Sequence, residues 1–177
     1  MNRKEIIVIN GKGGTGKDTL CKSLSEQYKV LIVSAIDPIK EIAKNYGWNG
    51  EKDDKARRFL ADLKKAFVDY NNLPTEYLLN KTNSFINSDA EILFVHIREA
   101  DQIDMYKEAI LPMKCITLLV TREEIDQNHY YGNRADDDVF NYNYDYIFAN
   151  DASLVESKNK FRSLINNILK SKELNQV

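Results

Sequence analysis

The 177-residue chain has only two cysteines, Cys21 and Cys115, which lie far apart and match no metal-binding spacing. We therefore expect reduced, packed thiols in a cytoplasmic protein. No apolar run is long enough to span a bilayer. The formal net charge is only −2, which gives no reason to expect a nucleic acid polymer or an anionic membrane as the main partner.

The length suits one domain and is short for two, so we expect a single domain over residues 1–177. An apolar fraction of 43% is sufficient for a sizeable core. The N-terminal segment MNRKEIIVIN has a basic start, but its short apolar stretch runs directly into a glycine-rich loop. We interpret this stretch as a first core strand and not as a signal peptide.

Short β-branched runs alternate with longer amphipathic segments along the whole chain. This alternation predicts an α/β fold in which helices cover both faces of a central parallel five-stranded sheet. Asp37 followed by Pro38 is typical of a helix N-cap and first turn. An apolar stripe of Phe59, Leu60, Leu63 and Phe67 is expected to bury one face of a helix. The strands are predicted at 5–10, 30–34, 91–97, 115–120 and 144–149, and the helices at 18–28, 37–46, 56–70, 73–86, 100–110 and 153–169.

Residues 122–143 differ in character from the rest of the chain. They are polar, aromatic and charged and show no sustained periodicity. This composition predicts a mobile excursion rather than a core element.

Residues 10–19, NGKGGTGKDT, contain the pattern G-x-x-x-x-G-K between a predicted strand and a predicted helix. In such a P-loop, glycines let backbone N–H groups approach a polyphosphate, and the lysine reaches its β- and γ-phosphates. The context predicts a P-loop NTPase fold that binds the phosphates of ATP, with Lys17 as the central contact. The predicted phosphate-binding residues are Gly11, Lys12, Gly13, Gly14, Thr15, Gly16, Lys17, Asp18 and Thr19.

Asp18 stands where such loops usually have Ser or Thr, whose hydroxyl binds Mg²⁺. A carboxylate can also bind Mg²⁺, directly or through water, because this ion prefers hard oxygen ligands. The alternative is that Asp18 only stabilises the N-terminal end of the helix. We expect Asp18 to bind Mg²⁺, with Thr19 as the hydroxyl that faces the phosphates.

Two families of P-loop protein resemble this chain. The segment Lys12–Lys17 (KGGTGK), followed by an Asp-Pro after the second strand, resembles the signature-lysine ATPases of partitioning and division-site selection. That family has Thr or Ser after the second lysine and an Asp at the end of a later strand. Here the corresponding strand ends in His96, so this resemblance is partial.

The second resemblance, to the P-loop (deoxy)nucleoside monophosphate kinases and the related animal-type phosphomevalonate kinases, extends in order over nearly the whole chain. It implies a three-layer αβα P-loop kinase with a lid at about 122–143 and acceptor-binding helices at about 37–87. The motifs that carry it are Gly-Lys-Asp-Thr at 16–19, Pro-Ile-Lys-Glu at 38–41, Arg-Arg-x-Leu at 57–60, His-x-Arg at 96–98, and the strand and Asn-Asp turn at 144–154.

The resemblance implies an enzyme that transfers the γ-phosphoryl group of ATP to a small phosphorylated acceptor, with Mg²⁺ as cofactor. A (deoxy)nucleoside monophosphate is the expected acceptor, and the protein would act as a monomer or homodimer. Catalytic roles fall on Lys17, Arg98, Arg122 and Arg134, the last two as lid arginines. Asn150 would line the adenine pocket, and the acceptor would be bound by Asp37, Lys40, Arg57, Arg58 and His96.

His96 departs from the kinase pattern, which has Asp at this place. An imidazole cannot replace a carboxylate as a ligand of Mg²⁺ or as an acceptor base in the usual way. Three alternatives remain open: Asp18 organises the metal instead, the acceptor differs from the usual one, or catalysis is weakened. A switch ATPase that works on partner proteins is the alternative from another functional class.

Overall fold

A computed structural model describes residues 4–128 and 138–174 of the chain. The strands of these residues form one parallel sheet in the order β2-β3-β1-β4-β5. The carboxyl end of β1 therefore lies between those of β3 and β4, where ligands bind in open α/β sheets. The strands are β1 (Glu5–Asn10), β2 (Val30–Ser34), β3 (Ile92–His96), β4 (Cys115–Thr121) and β5 (Tyr146–Ala149).

Seven α-helices are described in the two ranges 4–128 and 138–174. The helix predicted at 18–28 begins one residue earlier, and its C-terminal part is a 3₁₀ turn, Leu24–Glu26. The α-helices are α1 (Lys17–Ser23), α2 (Asp37–Asn45), α3 (Asp54–Asn71), α4 (Leu73–Ile86), α5 (Ala100–Ala109), α6 (Glu123–Asn128) and α7 (Leu154–Leu174).

Apolar side chains on both faces of the sheet are covered by helices. Helices α1 and α7 cover one face, where Leu20, Phe161 and Ile165 pack against β1, β3 and β4. Helices α4 and α5 cover the other face, with Phe85 and Tyr106 fully buried. The predicted three-layer αβα architecture with a parallel five-stranded sheet is confirmed.

Helices α2 and α3 form a separate small cluster built on Ile39, Ala43 and Leu60. The predicted apolar stripe of α3 is wrong at Phe59, which is 45% exposed. Successive residues of a helix are rotated by about 100°, so the face that buries Leu60 also buries Ala56 and Lys64 and leaves Phe59 outside.

The prediction that Asp37 caps α2 is also wrong. The capping position is Ile36, and Asp37 is the first residue of the helix. Its carboxylate Oδ2 instead accepts a hydrogen bond of 2.8 Å from the backbone N–H of Ser34. Asp37 therefore links the carboxyl end of β2 to the start of α2.

The segment predicted as an excursion without core elements is more ordered at its two ends than the sequence indicated. It begins with the short helix α6, and Val139 near its other end is only 1% exposed. Residues 129–137, including Arg134, lie outside the described residues. In the described ranges, no helix has the length and hydrophobicity to cross a membrane.

Candidate active site

The glycine-rich loop connects β1 to α1 at the carboxyl edge of the sheet. Gly11, Gly14 and Gly16 have φ angles of 141°, 89° and 86°, which side chains rarely tolerate. A Cβ atom at Gly11 would lie 2.2 Å from the carbonyl oxygen of Val120 in β4. The loop can therefore adopt this path only with glycine at these positions, and it leads directly into the start of α1.

Lys17 is the first residue of α1 and folds back over the loop. Its ammonium Nζ donates hydrogen bonds to the carbonyl oxygens of Gly11 (2.5 Å) and Lys12 (2.7 Å) and to Oγ1 of Thr15 (3.3 Å). The side chain is largely buried, so its charge lies inside the curve of the loop. This position is compatible with the predicted phosphate contact of Lys17, which stays a prediction.

Asn10, which no motif singled out, connects three separate parts of the site. Its Nδ2 donates to the carbonyl oxygen of Arg98 (2.9 Å) and to the hydroxyl of Tyr144 (2.7 Å), and its Oδ1 accepts from the N–H of Gly11 (2.7 Å). The Tyr144 hydroxyl in turn donates to the carbonyl oxygen of Val139 (2.8 Å). The available signal was a polar residue that ends an apolar strand directly before the loop. Asn10 is completely buried, so the start of the loop is fixed relative to Arg98.

Lys12 ties the loop to α6. Its Nζ donates to the carbonyl oxygen of Asp126 at 3.1 Å and lies 5.7 Å from the ring centroid of Phe140. The side chain of Ile125, on the same helix, is 3.4 Å from the position of a Cβ on Gly14. Lys12 is the residue that gave the chain its resemblance to the signature-lysine ATPases. Its ammonium contacts groups of its own chain.

His96 ends β3, and its imidazole Nδ1 lies 3.7 Å from Oδ1 of Asp18 on α1. Its ring is almost completely buried, whereas the Asp18 side chain is 77% exposed. Burial lowers the pKa of His96 to about 4; Asp18 opposes this shift, and the cations Lys17, Arg98 and Lys40 add to it. The imidazole is therefore neutral at pH 7. Among the described residues, its buried Nε2 has no hydrogen-bond partner.

Asp37 and Lys40 lie at the neighbouring edge, after β2. Burial raises the pKa of the Asp37 carboxyl, which also feels the charges of Lys40, Asp18 and Lys81. Tyr77 belongs to the same cluster, because burial and the carboxylates of Asp37 and Glu41 raise its pKa. No sequence motif indicates Tyr77 or Lys81, because their helix α4 approaches α2 only in the fold.

Arg57 and Arg58 are adjacent on α3 but point to different surroundings. Nε of Arg57 donates to the carbonyl oxygen of Lys52 at 3.0 Å. Arg58 is exposed and lines an open surface groove along α3 with Phe59 and Asp62. Neither of these contacts involves the glycine loop, so an acceptor role for the pair stays a prediction.

Arg98 follows β3 by two residues, and its charge contributes to the low pKa of His96. Arg122 follows β4. Its guanidinium lies 3.6 Å from the Glu124 carboxylate, and its backbone N–H donates to Oδ2 of Asp126. These positions place Arg98 near the loop and Arg122 directly before α6. The predicted roles of Arg98 and Arg122 in catalysis stay predictions.

Asn150, which directly follows the strand β5, contacts the loop. Its Nδ2 donates to the carbonyl oxygen of Thr15 at 2.7 Å, and its N–H donates to the carbonyl oxygen of Thr121 at 2.8 Å. The next residue, Asp151, accepts a hydrogen bond from the N–H of Glu123 at the start of α6. The Asn-Asp turn therefore holds both the glycine loop and α6, and its predicted adenine contact stays a prediction.

Comparison with known sequences gives one weak similarity to a kinase. No protein-family model matches the chain. Adenylate kinase 2 of Plasmodium falciparum is 26% identical over 88 residues, which are 48% of this chain. The chain spans about a third of the length of that relative.

Comparison with solved structures covers almost the whole chain. A protein described as a candidate kinase from Chloroflexus aurantiacus has a TM-score of 0.56 at 14% identity, covering 97% of this chain and 98% of that one. The APS kinase CysC of Mycobacterium tuberculosis, in complex with AMPPNP and APS, has a TM-score of 0.52 at 11% identity, covering 94% and 99%. These similarities show that the chain has the three-layer αβα P-loop NTPase fold found in kinases.

Proposed function

We propose that this protein is a kinase that transfers the γ-phosphoryl group of ATP to a small phosphorylated acceptor, a (deoxy)nucleoside monophosphate. The observation that carries this proposal is the position of the Lys17 ammonium inside the glycine loop, at the carboxyl edge of the sheet. Phosphoryl transfer requires positioning and charge neutralisation more than covalent chemistry by the protein. The site supplies both.

The donor phosphates bind the backbone N–H groups of the loop and the Lys17 ammonium. The hydrogen bonds that Lys17 donates to the carbonyl oxygens of Gly11 and Lys12 can be exchanged for bonds to phosphate oxygens without moving the helix. Asn10 and Asn150 keep the loop in its shape from either side. We propose that Asn150 also borders the adenine base.

Asp18 fits the Mg²⁺ that kinases use, because its carboxylate is exposed and belongs to the first turn of the helix that follows the loop. The neighbouring imidazole of His96 is not a usual Mg²⁺ ligand. When bound, Mg²⁺ neutralises the phosphate charge that would otherwise repel Asp18. Thr19 offers an exposed hydroxyl in the same turn.

The acceptor binds in the cluster of charged and polar groups after β2 and β3. Lys40, Lys81 and Arg98 supply cations for its phosphate, and Asp37 and Tyr77 supply groups that can hydrogen-bond to a base. The similarity to an adenylate kinase supports a nucleoside monophosphate as acceptor. Arg122 and Arg134 would close over the transferring group, and Arg57 or Arg58 would contact the acceptor from α3.

The test is acceptor-dependent release of ADP from Mg-ATP with a panel of (deoxy)nucleoside monophosphates, phosphomevalonate, adenosine phosphosulfate and dephospho-coenzyme A. We expect one nucleoside monophosphate to stimulate turnover more than the other compounds do. Lys17→Ala should remove this activity because the β- and γ-phosphates lose their ammonium contact. Lys22→Ala, on the exposed side of the same helix, is the matched control and should retain it.

Two results would contradict the proposal. If no acceptor stimulates turnover but ATP drives dimerisation, the protein is a switch ATPase of the signature-lysine type. If Lys17→Ala binds and turns over ATP like the unaltered protein, the glycine loop is not the nucleotide site.

A further inference from the structure

His96 and Asp18 present a nitrogen and an oxygen donor to the same point beside the glycine loop. The atoms Nδ1 of His96 and Oδ1 of Asp18 are 3.7 Å apart, which is too far for a hydrogen bond. Two neighbouring ligands of an octahedral ion, each about 2.1 Å from it, are about 3 Å apart. A small rotation of the exposed Asp18 side chain would bring the pair to this separation.

The imidazole is held rigidly, and the carboxylate is not. His96 belongs to β3, in register with Ile9 of β1 on one side and Ser34 of β2 on the other. Its side chain is 11% exposed, whereas that of Asp18 is 77% exposed. One fixed ligand and one adjustable ligand can accept ions of different radius, so the donor chemistry determines which ion is preferred.

The fixed donor is an imidazole nitrogen, and this feature distinguishes the site from one built on oxygen ligands alone. Mg²⁺ requires hard oxygen ligands, whereas imidazole suits first-row transition cations, whose affinity for nitrogen sites exceeds that of Mg²⁺. Nδ1 of His96 is the ring nitrogen that faces Asp18, whereas Nε2 is buried and has no hydrogen-bond partner among the described residues.

We propose that His96 Nδ1 and Asp18 form a nucleotide-dependent divalent-cation site that prefers Mn²⁺ or Co²⁺ to Mg²⁺. The phosphates of the bound nucleotide complete the coordination, because two protein ligands alone are too few to hold such an ion tightly. This inference rests on the proposed function, since it requires ATP in the glycine loop. It explains how a kinase can work with histidine at the end of β3.

The direct test is pulsed electron paramagnetic resonance of Mn²⁺ bound to the protein with AMP-PCP, a methylene-bridged analogue of ATP. We expect a nitrogen modulation from the Mn²⁺-bound imidazole that changes from the ¹⁴N to the ¹⁵N pattern when the protein contains [¹⁵N]histidine. The chain has only one other histidine, His129. The His129→Gln variant is therefore the matched control and should give the same spectrum.

A second measurement compares the dissociation constant of AMP-PCP in Mg²⁺ and in Mn²⁺. In His96→Asp the site has only oxygen donors, so the preference for Mn²⁺ should decrease about tenfold relative to the unaltered protein. If the histidine modulation is missing while AMP-PCP binds and acceptor-dependent transfer occurs, the metal inference is wrong and the kinase proposal stands. If AMP-PCP does not bind with either ion, both are wrong. If His96→Asp keeps the same preference for Mn²⁺ over Mg²⁺ as the unaltered protein, the inference is also overturned.

Discussion

Glycine is required at position 16 for two reasons: the backbone there is left-handed, and a side chain would collide with Asn150. Its φ angle is 86°, and a Cβ atom there would lie 2.6 Å from Nδ2 of Asn150. That nitrogen donates to the carbonyl oxygen of Thr15, so a side chain at Gly16 displaces the group that holds the loop.

We expect Gly16→Ala to lower the free energy of unfolding by about 2 kcal/mol, of which about 1 kcal/mol is backbone strain. Gly47→Ala is the control, because Gly47 has a φ angle of 104° but nothing within 4 Å of its Cβ position. Urea denaturation of both variants measures the difference. Equal losses in the two variants would show that the Asn150 contact contributes nothing.

Asp37 carries a charge whose burial opposes folding. Its pKa is raised above the ordinary value of 3.8, mainly by burial. The folded protein therefore binds a proton more tightly here than the unfolded chain does. Protonation of Asp37 therefore adds to the free energy of unfolding. This contribution is complete below the pKa of the unfolded state and is lost as the pH rises through the pKa of the folded state.

We accordingly expect Asp37→Asn to be more stable than the unaltered protein at pH 7 and to have no such advantage below pH of about 3.5. Acceptor turnover should nevertheless decrease if the proposed role is correct. Asp89→Asn is the control of opposite sign, because Lys29 lowers the pKa of exposed Asp89. Thermal unfolding across pH measures both, and a destabilised Asp37→Asn at pH 7 would contradict the expectation.

The sequence was sufficient to place Lys17 and the loop glycines, because their geometry follows from a local pattern. It could not identify Asn10, Tyr77 or Tyr144. Asn10 has a structural role because it donates hydrogen bonds to residues 98 and 144, which are far away in the chain. Such partners are determined by strand order, and no local periodicity encodes it.

Helix α3 is attached to the segment between β3 and α5 by a partly buried ion pair. Nζ of Lys64 donates to both carboxylate oxygens of Glu99, at 2.7 and 2.6 Å, and the two side chains are 11% and 26% exposed. Glu99 precedes α5 and follows Arg98 directly. The pair therefore sets the position of the proposed acceptor-binding helix relative to Arg98.

We expect Lys64→Met to lower the free energy of unfolding by about 2 kcal/mol, because it leaves a partly buried carboxylate without its cation. Lys65→Met is the matched control: Lys65 pairs with Asp69 on the exposed side of the same helix, where such pairs contribute at most about 0.5 kcal/mol. Denaturant titration of both variants tests this. Similar losses would show that the Lys64 pair behaves as a surface pair.

The positions of most helices and strands could be predicted because the apolar residues in each segment recur with the spacing typical of a helix or a strand. The errors occurred where tertiary contacts override that period. Phe59 belongs to an apolar stripe by spacing, yet α2 covers the neighbouring face of α3. The helix α6 has an acidic sequence that gives no amphipathic signal, and it is stabilised by Asp151 and Lys12 from outside.

At the scale of the whole molecule, both ends of the segment 122–143 are connected to the glycine loop and the residue before it. Lys12 binds the carbonyl oxygen of Asp126 at one end, and Asn10 binds Tyr144, which binds Val139, at the other. This arrangement follows from the sheet order, since β4 and β5 lie on the same side of β1. We therefore expect a substitution that breaks one of these contacts to alter both nucleotide binding at the loop and the stability of residues 138–144.

Tyr144→Phe tests this coupling, because it removes the hydroxyl that joins Asn10 to Val139. Burial raises the pKa of Tyr144 to about 12, so the hydroxyl is protonated at pH 7 and donates to Val139. We expect a loss of about 1–2 kcal/mol in the free energy of unfolding, together with faster hydrogen exchange at residues 138–144 and a higher KM for ATP.

Tyr142→Phe is the control, because the Tyr142 ring packs edge-on against Tyr144 but its hydroxyl donates to exposed Asp104 instead. It should change the stability by less than about 1 kcal/mol and leave the KM for ATP unaltered. A Tyr144→Phe variant that loses stability but keeps both the KM and the hydrogen exchange rates of the unaltered protein would show that the hydroxyl only stabilises the fold. A combined effect in Tyr144→Phe alone would support communication between the loop and residues 138–144 through Asn10, because Asn10 is the side chain that contacts both Gly11 and Tyr144.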